Sequence, residues 1–546
     1  MSFDYKMRQP FRREIELFAV GLAISLVAKG IALFPLGFSI DSYMQLVLMS
    51  DGPSANGLGI THIMSRKLLA EGRIGQWALN QVLIALGVVG PGGNTLYVVL
   101  ALCCYVGVGI LLCKLWDIKD SLGIQVCIVA IFALHPYNAD VFTFREATLT
   151  VGFGLSLGML GLTIADMRLS RWIAGCTLMV LSLTLYQVAL NFVVVALVIS
   201  LLLKLIRLDP GEILWGPGPG TGRHFLQQLW PRASAVVAAV VIYMPIYKLS
   251  QQLAGNLMQE HSRGAILPLS DIPERIWRSA VAAGHVFLVP EPGVPIAVKM
   301  LIVGLSALAI GSLVKKIWEI VGYRRYTVFA LALLLLAIAG FAIIGVVMPL
   351  REWSEVHRTL AGVSVLVAGF LALAVTNGGV WSRRAALAIV VVLLFSFAGI
   401  SNVILSEQLR LNHRDMATAS RMMSRLEANP EFAAVKKIAV IGRQRNYPRR
   451  FLTSEHKSAL GRAHSKANIL QEVSGYRFLE PNADERRQAE DYCRDVRPWP
   501  DPASVTVLKD TAVVCLPERE ETTAWRPVNE RVTRADGKSN SSTESK

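Results

Sequence analysis

Long apolar runs recur along the chain as far as about residue 405, and polar connections separate them. The first run, 16–38, is nearly continuous, and about 20 apolar residues are enough for a helix to cross a bilayer. The pattern predicts a polytopic α-helical membrane protein with about 11 transmembrane helices. Their predicted limits are 16–38, 93–113, 121–137, 147–165, 172–186, 188–206, 233–250, 296–314, 327–349, 359–377 and 385–405.

The basic residues between these runs favour one orientation in the membrane. If the N-terminus is cytoplasmic, every inner connection carries at least two lysines or arginines, as the positive-inside rule requires. Lys114 with Lys119 and Arg383 with Arg384 are examples. We therefore predict a cytoplasmic N-terminus and an extracytoplasmic C-terminus.

Two stretches need a separate interpretation. Residues 75–90 are apolar but short, and a span there would invert every later connection. We predict an interfacial or re-entrant helix at this place. The second stretch is the tight outer hairpin around Tyr186 and Gln187, where a span is expected to be tilted or broken.

The composition changes after about residue 405 and becomes polar. A helix from Glu407 to Leu426 and strands at 437–442, 504–508 and 512–516 predict a small extracytoplasmic α/β domain. The last stretch is rich in Ser, Thr, Lys and Glu, which is typical of disorder. The predicted domains are a cytoplasmic N-terminus at 1–15, a transmembrane domain at 16–405, the α/β domain at 406–516 and a disordered tail at 517–546.

The overall composition supports a membrane protein. The 546 residues are 53% hydrophobic and only 17% charged, whereas a soluble chain carries about 25% charged residues. The net charge of +15 is compatible with nucleic-acid binding. However, most basic residues before residue 400 lie in short connections, so they indicate membrane topology and no nucleic-acid partner.

Cysteines differ by environment along the chain. Cys493 and Cys515 lie in the predicted α/β domain, which the topology places in an oxidising compartment, and a structural disulfide between them is therefore expected. The other cysteines lie inside predicted spans, where cysteine acts as a small apolar residue. They are Cys103, Cys104, Cys113, Cys127 and Cys176.

The outer connections collect carboxylates, arginines and aromatic residues on one membrane face. A glycosyltransferase that uses a lipid-phosphate sugar requires a carboxylate to deprotonate the acceptor, arginines to hold the phosphate and aromatic faces to stack on sugars. The candidates are Asp41, Tyr43, Arg73, Tyr137, Asp140, Tyr186, Gln187, Arg351, Trp353 and Arg358.

Each of these candidates also has a structural interpretation. Asp41 fits a solvated loop or a helix end, and Asp140 fits a helix cap. Arg73 fits an interfacial anchor beside Trp77. The arginines near Trp353 fit pairing with Glu352 and Glu355 or snorkelling from span ends. Tyr186 also fits an aromatic belt.

Motifs for other chemistries do not occur in the sequence. It contains no P-loop, dinucleotide fingerprint or HExxH motif, and no Cys/His spacing of a zinc site. We predict no cofactor, and the sequence leaves open whether a divalent metal takes part.

Four segments, SIDSYMQL, EGRIGQW, HPYNADVFTF and LTLYQ, occur here in an order that resembles one family. The chain resembles the Gtr-type O-antigen glucosyltransferases, polytopic members of the GT-C superfamily that depend on polyprenyl-phosphate sugars, over roughly residues 15–515. The resemblance implies that glucose or a related hexose moves from undecaprenyl phosphate onto O-antigen of lipopolysaccharide or another surface glycan. It also implies the periplasmic face of a bacterial inner membrane. Family members often have two adjacent acids after the first span, and the second position here is Ser42.

The resemblance implies an inverting displacement with defined roles for the candidates. Asp41 would be the base, and Asp140 a secondary base or an acceptor-binding group. The lipid phosphate would leave under stabilisation by arginine, without a required metal. Expected partners are the donor lipid, the glycan acceptor, the bilayer, a donor flippase and the donor-lipid synthase. Phosphate binding is assigned to Arg73, Arg351 and Arg358, and substrate binding to Tyr43, Tyr137, Tyr186, Gln187 and Trp353.

Three alternatives stay open at the level of the sequence. An O-antigen polymerase or ligase would also combine many spans with outer arginines. A lipid-linked sugar transporter or flippase would show buried charges within its spans and internal repeats. A non-catalytic scaffold for partner enzymes is the third alternative.

Overall fold

The computed structural model describes most of the chain. The described residues are 3–34, 39, 42–43, 63–88, 91–119, 121–207, 221–254, 267–291, 293–319, 324–350, 353, 356–444 and 458–517. They form two compact units, one up to Arg414 and one from Asp415.

The first unit consists of helices joined by turns and short connections. Their bounds are α1 Phe3–Lys29, α2 Ile63–Ala70, α3 Ile74–Ala85, α4 Pro91–Leu115, α5 Leu122–Leu134, α6 Pro136–Ala139, α7 Arg145–Ile164, α8 Leu169–Leu185, α9 Ala189–Arg207, α10 Thr221–Ala254, α11 Ile272–Leu288, α12 Ile296–Trp318, α13 Arg324–Ala342, α14 Val363–Asn377 and α15 Val380–Glu427.

These helices make the chain a polytopic helical membrane protein. Among the described residues, seven helices are long and apolar enough to cross a membrane, and a bent pair through α5 and α6 is an eighth if it forms one span. Helices α8, α9 and α14 are apolar but shorter, and each coincides with a predicted span. The predicted number of 11 spans depends on these three helices and stays a prediction.

The two stretches that needed separate interpretation are short or broken. Helix α3 has 12 residues, which is too short to cross a bilayer as a helix of about 20 residues does. Helix α8 ends at Leu185, and Tyr186 is extended before α9 begins at Ala189. The hairpin predicted around Tyr186 is therefore present.

A proline breaks the chain between α5 and α6 and redirects the segment that carries Asp140. The axes of the two segments differ by 53°. His135 has a ψ of 130°, as expected for a residue before proline, which is excluded from the helical region. Pro136 then starts α6 where a missing N–H costs nothing, and Asn138 Nδ2 donates to the Phe132 carbonyl over 2.8 Å. The break places Tyr137 and Asp140 beyond the end of α5.

Helices α7 and α8 approach each other closely at two glycines. A Cβ on Gly161 would lie 2.6 Å from the Gly175 carbonyl oxygen, and one on Gly175 would lie 2.7 Å from the Gly161 oxygen. Small residues allow this approach of membrane helices, whose association depends on packing because lipid is as apolar as their side chains.

The second unit contains a three-stranded sheet and helices. Strand β1 (Lys437–Ile441) pairs in parallel with β3 (Thr511–Cys515), which pairs antiparallel with β2 (Val505–Leu508). The strands lie within two residues of their predicted limits. Helices α16 (Ala463–Ser474) and α17 (Ala483–Asp495) complete this unit.

A disulfide and a small core fix the sheet to α17. Cys493 in α17 is bonded to Cys515 in β3. Ala439, Ala489 and Val513 are buried around this bond. Asn482 begins α17 with a capping box, because its side chain accepts from the Glu485 N–H and the Glu485 side chain accepts from the Asn482 N–H.

We expect Gly161→Val to lower the stability of the first unit. The new side chain would force α7 and α8 apart at backbone atoms, and overpacking of this kind costs about 1–3 kcal/mol. The measurement is the thermal midpoint of the purified full chain in detergent. Gly107→Val is the matched control, because a Cβ at Gly107 meets nothing within 4 Å. Equal midpoints for both variants would contradict the close contact.

We expect thiol labelling to separate the paired cysteines from the others. The chain has 7 cysteines, and 5 of them are free. A maleimide added to unfolded, unreduced protein should therefore label 5 thiols, and prior reduction should raise the number to 7. The Cys176→Ser control should lower both numbers by one. Full labelling before reduction would contradict the disulfide.

Candidate functional site

The described part of the chain brings some of the predicted site residues together and separates others. Asp41 and Arg351 lie outside the described residues. Tyr137 and Asp140 meet three charged residues that carried no role in the sequence prediction. We call these five residues the charged cluster; they are Tyr137, Asp140, Glu291, Lys299 and His357.

His357 lies between the two carboxylates of the charged cluster. Its Nε2 is 2.8 Å from Glu291 Oε2, and its Nδ1 is 3.2 Å from Asp140 Oδ2. Both ring nitrogens therefore face acid groups. The contacts join the turn after α6, the segment before α12 and the segment before α14, which are distant in sequence.

Tyr137 and Lys299 hold Glu291 in place. Lys299 Nζ lies 2.8 Å from Glu291 Oε1 and donates to the His285 carbonyl over 3.0 Å. The Tyr137 hydroxyl donates to the Glu291 carboxylate over 3.1 Å. The Tyr137 ring stacks on the His357 ring with centroids 4.5 Å apart and planes 11° apart. The ring of His357 is thus fixed at its edges and on one face.

The two carboxylates decide the charge of His357. Burial favours the neutral ring, but the neighbouring Asp140 and Glu291 outweigh burial and raise the pKa of His357 to about 10. Burial opposes ionisation of Glu291 as well, yet His357 and Lys299 lower the pKa of its carboxyl. At neutral pH His357 is therefore a cation that lies between the carboxyl groups of Asp140 and Glu291.

Asp140 is the member of the cluster whose bonding is incomplete. Its side chain is 1% exposed, and neither carboxylate oxygen has a hydrogen-bond partner among the described residues. Oδ2 has the ion-pair contact with His357, whereas no contact of Oδ1 is seen in this part of the chain. A buried carboxylate oxygen without a donor is costly, so Oδ1 is available to a hydroxyl donor from a ligand.

The segment after Asp140 is bound to the chain around Ser39 and Ser42. The Ser39 N–H donates to the Thr143 carbonyl over 2.7 Å. Ser42 Oγ accepts from the Arg145 N–H over 3.2 Å and lies 3.4 Å from the Thr143 carbonyl oxygen. Ser42 follows the predicted base Asp41 directly in the sequence. Ser39 and Ser42 are therefore held against the segment that follows Asp140.

Arg358 lies beside the same segment. Its guanidinium is 4.4 Å from the centre of the Phe144 ring, which is a cation–π distance. Arg358 follows His357 in the chain, so the cluster and this arginine share one connection. Among the arginines predicted to bind phosphate, it is the one that the described residues place next to the Asp140 segment.

Arg73 belongs to a separate group around the start of α3. Its Nη2 is 3.3 Å from Glu71 Oε2, and its guanidinium is 5.5 Å from the centre of the Tyr186 ring. Gln187 Nε2 donates to the Glu71 carbonyl over 2.6 Å and to the Tyr243 hydroxyl over 2.7 Å. We call Arg73, Gln76, Trp77 and Tyr186 the α3 group.

Two predicted substrate-binding residues have other neighbours. Tyr43 is buried, and its hydroxyl accepts from Asn412 Nδ2 over 2.8 Å. The guanidinium carbon of Arg275 lies 4.9 Å from the centre of the Trp353 ring. Among the contacts of the described residues, neither of them joins the charged cluster.

The sequence prediction missed His357, Glu291 and Lys299 as site residues. Lys299 carried the clearest signal, because an ionisable residue at the start of an apolar run is expensive and usually functional or paired. Glu291 lies in the long connection before that run, where several acids looked alike. His357 lies shortly after Arg351 and Trp353 in the sequence. Only the fold shows that its ring contacts Asp140.

The arrangement of these side chains does not resemble a metal site. Among the described residues, no group of three or more His, Cys, Asp or Glu side chains could hold a metal ion. In the charged cluster both His357 nitrogens face carboxylates. The two nitrogen atoms that His357 could offer a metal are therefore engaged with carboxylates.

Comparison with known proteins gives one match. A family model described as glucosyl transferase GtrII matches residues 59–400. That range includes Arg73, Asp140, Glu291, Lys299 and His357. No curated protein and no solved structure matches the chain.

We expect the stabilising effect of His357 to depend on pH. Its folded-state pKa of about 10 exceeds the ordinary value of 6.5, so its contribution is complete below the lower value and is lost as the pH rises through the higher one. His357→Gln leaves two buried carboxylates without their shared cation, and breaking such a pair costs about 3–5 kcal/mol. The difference in thermal midpoint between wild type and variant should shrink steadily between about pH 6 and about pH 10.

The control for this experiment is His413→Gln, since His413 is exposed. Groups that titrate in both proteins cancel in the difference between wild type and variant. A difference that is the same at every pH would show that His357 is not the titrating group.

Proposed function

Because the chain belongs to the glucosyl transferase GtrII family, we propose that it is a membrane glucosyltransferase with a polyprenyl-phosphate donor and a glycan acceptor. The match covers most of the first unit, including the charged cluster. The proposed donor is undecaprenyl phosphate carrying glucose or a related hexose. The proposed acceptor is O-antigen of lipopolysaccharide or another surface glycan.

The observation that carries this proposal is the buried Asp140 oxygen without a hydrogen-bond donor. A carboxylate in such a place binds a hydroxyl strongly, because a hydrogen bond to a charged group contributes about 1.5–3 kcal/mol. We assign Asp140 to the acceptor hydroxyl and His357 to the orientation of Asp140. The contact of His357 Nδ1 with Asp140 Oδ2 fixes the carboxyl group, so that its Oδ1 stays directed at the acceptor.

We assign the base to Asp41. Asp41 precedes Ser42, and Ser42 is bound to the segment that follows Asp140. In the proposed reaction Asp41 takes the acceptor proton while the acceptor oxygen bonds to C1 of the sugar. The bond from C1 to the phosphate oxygen breaks in the same step, and the configuration at C1 inverts. The electron pair of that bond stays on polyprenyl phosphate, which leaves as an anion.

We assign Arg358 and Arg351 to the leaving phosphate, whose negative charge grows as the bond breaks. A cation aimed at developing charge lowers the barrier more than it strengthens ground-state binding. The contact of Arg358 with Phe144 supports this assignment, because it keeps the guanidinium near the segment that carries Asp140. Arg73 was also predicted to bind phosphate, but its guanidinium is paired with the Glu71 carboxylate.

The proposed location is the bacterial inner membrane with the reaction at the periplasmic face. The positive-inside pattern supports a cytoplasmic N-terminus and a periplasmic C-terminus. The disulfide between Cys493 and Cys515 supports an oxidising compartment for the second unit. A donor flippase and a donor-lipid synthase are proposed partners, because the donor has to be made and presented at that face.

Transport of a lipid-linked sugar is the second candidate, and one observation favours it. Lys29 lies within a candidate span and has no exposed surface, and buried charges within spans are typical of transporters. However, Lys29 donates to the Ala133 carbonyl over 2.6 Å and lies 4.6 Å from the Phe142 ring. These contacts suit a structural cation, so transfer is the function we propose.

The first experiment compares hexose transfer by the wild type with transfer by two aspartate variants. The purified full chain in nanodiscs receives undecaprenyl-phosphate glucose and surface polysaccharide from the host strain. We expect Asp41→Asn to lower kcat by about 10²–10⁴-fold, as loss of a general base does. We expect Asp140→Asn to raise the KM for the polysaccharide and lower kcat/KM by about 10–200-fold.

Asp166→Asn is the matched control, because Asp166 pairs with Arg171 between α7 and α8, away from the charged cluster. Full activity of Asp41→Asn with none for Asp140→Asn would move the base to Asp140. If the wild type moved the donor across the membrane but transferred no hexose, transport and not glucosyl transfer would be the function of this protein.

A further inference from the structure

Three neighbouring side chains at the start of α3 have polar atoms without partners. In the described part of the chain, Arg73 Nε, Gln76 Oε1 and Trp77 Nε1 are buried atoms that make no hydrogen bond. Gln76 as a whole is 1% exposed. The three residues lie at positions i, i+3 and i+4. The backbone N–H of Trp77 donates to the backbone carbonyl of Arg73 over 2.9 Å. Side chains at this spacing share one face of a helix turn.

The turn that carries these residues is tightly packed. Gly72 has a φ of +75°, and a Cβ there would lie 2.1 Å from the Tyr247 ring. A Cβ on Gly75 would lie 2.4 Å from Thr184 Oγ1. The Tyr243 hydroxyl donates to the Gly72 carbonyl over 3.0 Å. The backbone is thus held in one position, so the unpartnered atoms of the α3 group are part of a fixed arrangement.

The charge of the α3 group does not suit a phosphate. Glu71 lies 3.3 Å from Arg73, and the side chains are 17% and 27% exposed respectively. The pair has no net charge, and a phosphate next to it would meet the Glu71 carboxylate. A neutral ligand meets no such repulsion. Two N–H donors, one carbonyl acceptor and aromatic faces are the groups that bind a sugar ring, which offers hydroxyls and a C–H face.

Aromatic residues of one buried core lie between the α3 group and the segment of Asp140. Arg73 lies over the Tyr186 ring, and Tyr186 and Tyr105 both belong to that core. The Tyr105 ring centre is 5.5 Å from that of Phe142, two residues beyond Asp140. The Tyr105 hydroxyl is also a buried atom without a partner among the described residues. The α3 group therefore borders the same buried core as the segment that carries Asp140.

We propose that the α3 group is a binding site for a neutral hexose ring. Arg73 Nε and Trp77 Nε1 donate to sugar oxygens, and Gln76 Oε1 accepts from a sugar hydroxyl. The Trp77 ring supplies a face for stacking. This assignment rests on the proposed function for the source of the sugar, which is either the donor glucose or a residue of the acceptor glycan. It replaces the phosphate role that the sequence predicted for Arg73.

The test measures binding of three probes to the full chain in nanodiscs. Undecaprenyl phosphate carries phosphate without sugar, undecaprenyl-phosphate glucose carries both, and lipid-free surface polysaccharide of the host strain carries sugar alone. Trp77→Phe keeps an aromatic ring and removes the N–H. We expect this variant to bind a sugar-bearing probe about three- to tenfold more weakly, because it loses one neutral hydrogen bond. Binding of undecaprenyl phosphate should not change.

Gln76→Leu is the second variant, because it removes the acceptor with little change in volume. Trp381→Phe is the matched control, since Trp381 is 82% exposed on α15. A loss confined to undecaprenyl-phosphate glucose would identify the donor sugar, and a loss confined to the polysaccharide would identify the acceptor.

Two outcomes would overturn the assignment. One is unchanged binding of both sugar-bearing probes by both variants. The other is an equal loss for undecaprenyl phosphate, which would restore the phosphate role of Arg73. The binding assay does not require turnover, so a wild type that binds sugar but transfers none would refute the proposed function and leave this site in place.

Discussion

Ionised groups between membrane helices have to be neutralised by the protein, because neither lipid nor bulk water solvates them there. The charged cluster meets this requirement with acidic and basic side chains in turn, from Asp140 through His357 and Glu291 to Lys299. The desolvation cost of such a chain is offset only when the geometry is good and the remaining lone pairs are satisfied. Tyr137 donates to the Glu291 carboxylate, and the carbonyl of His285 accepts from Lys299. Within the cluster, Asp140 Oδ1 has no hydrogen-bond donor among the described residues. This oxygen can therefore accept a hydrogen bond from a ligand.

Two other buried basic side chains bind backbone carbonyls at helix ends. Lys29 donates to the carbonyl of Ala133 near the end of α5, and Arg145 donates to the carbonyls of Ala32 and Phe34 after α1. The last carbonyls of a helix have no partner within it. A basic side chain at these positions therefore satisfies its own N–H donors and the open helix end together. Both contacts fix the first helix relative to the segment that carries Asp140.

Much of the fold follows from the periodicity of the sequence, and less of the site does. Apolar runs located the helices, and the polar turn at Tyr186 and Gln187 marked one break, because these are local effects. The predicted span 121–137 ran through Pro136, whereas α5 ends at Leu134. The strands near 437 and 512 followed from alternation in the same way. Asp140, Glu291 and His357 of the charged cluster lie in three connections that are distant in sequence. Each residue is visible in the sequence, but the contacts between them cannot be predicted from it. For Arg73 the sequence showed the charge but not its pairing with Glu71, which lies only two residues away.

The order in which the charged cluster is synthesised has a consequence for insertion into the membrane. Glu291 follows Tyr137 by 154 residues, and His357 follows Glu291 by 66 residues. Lys299 emerges from the ribosome shortly after Glu291, so that carboxylate is neutralised almost at once. His357, the partner of Asp140, is synthesised much later, after several further helices. The contact between Asp140 and His357 therefore forms only after the connection before α14 has been translated.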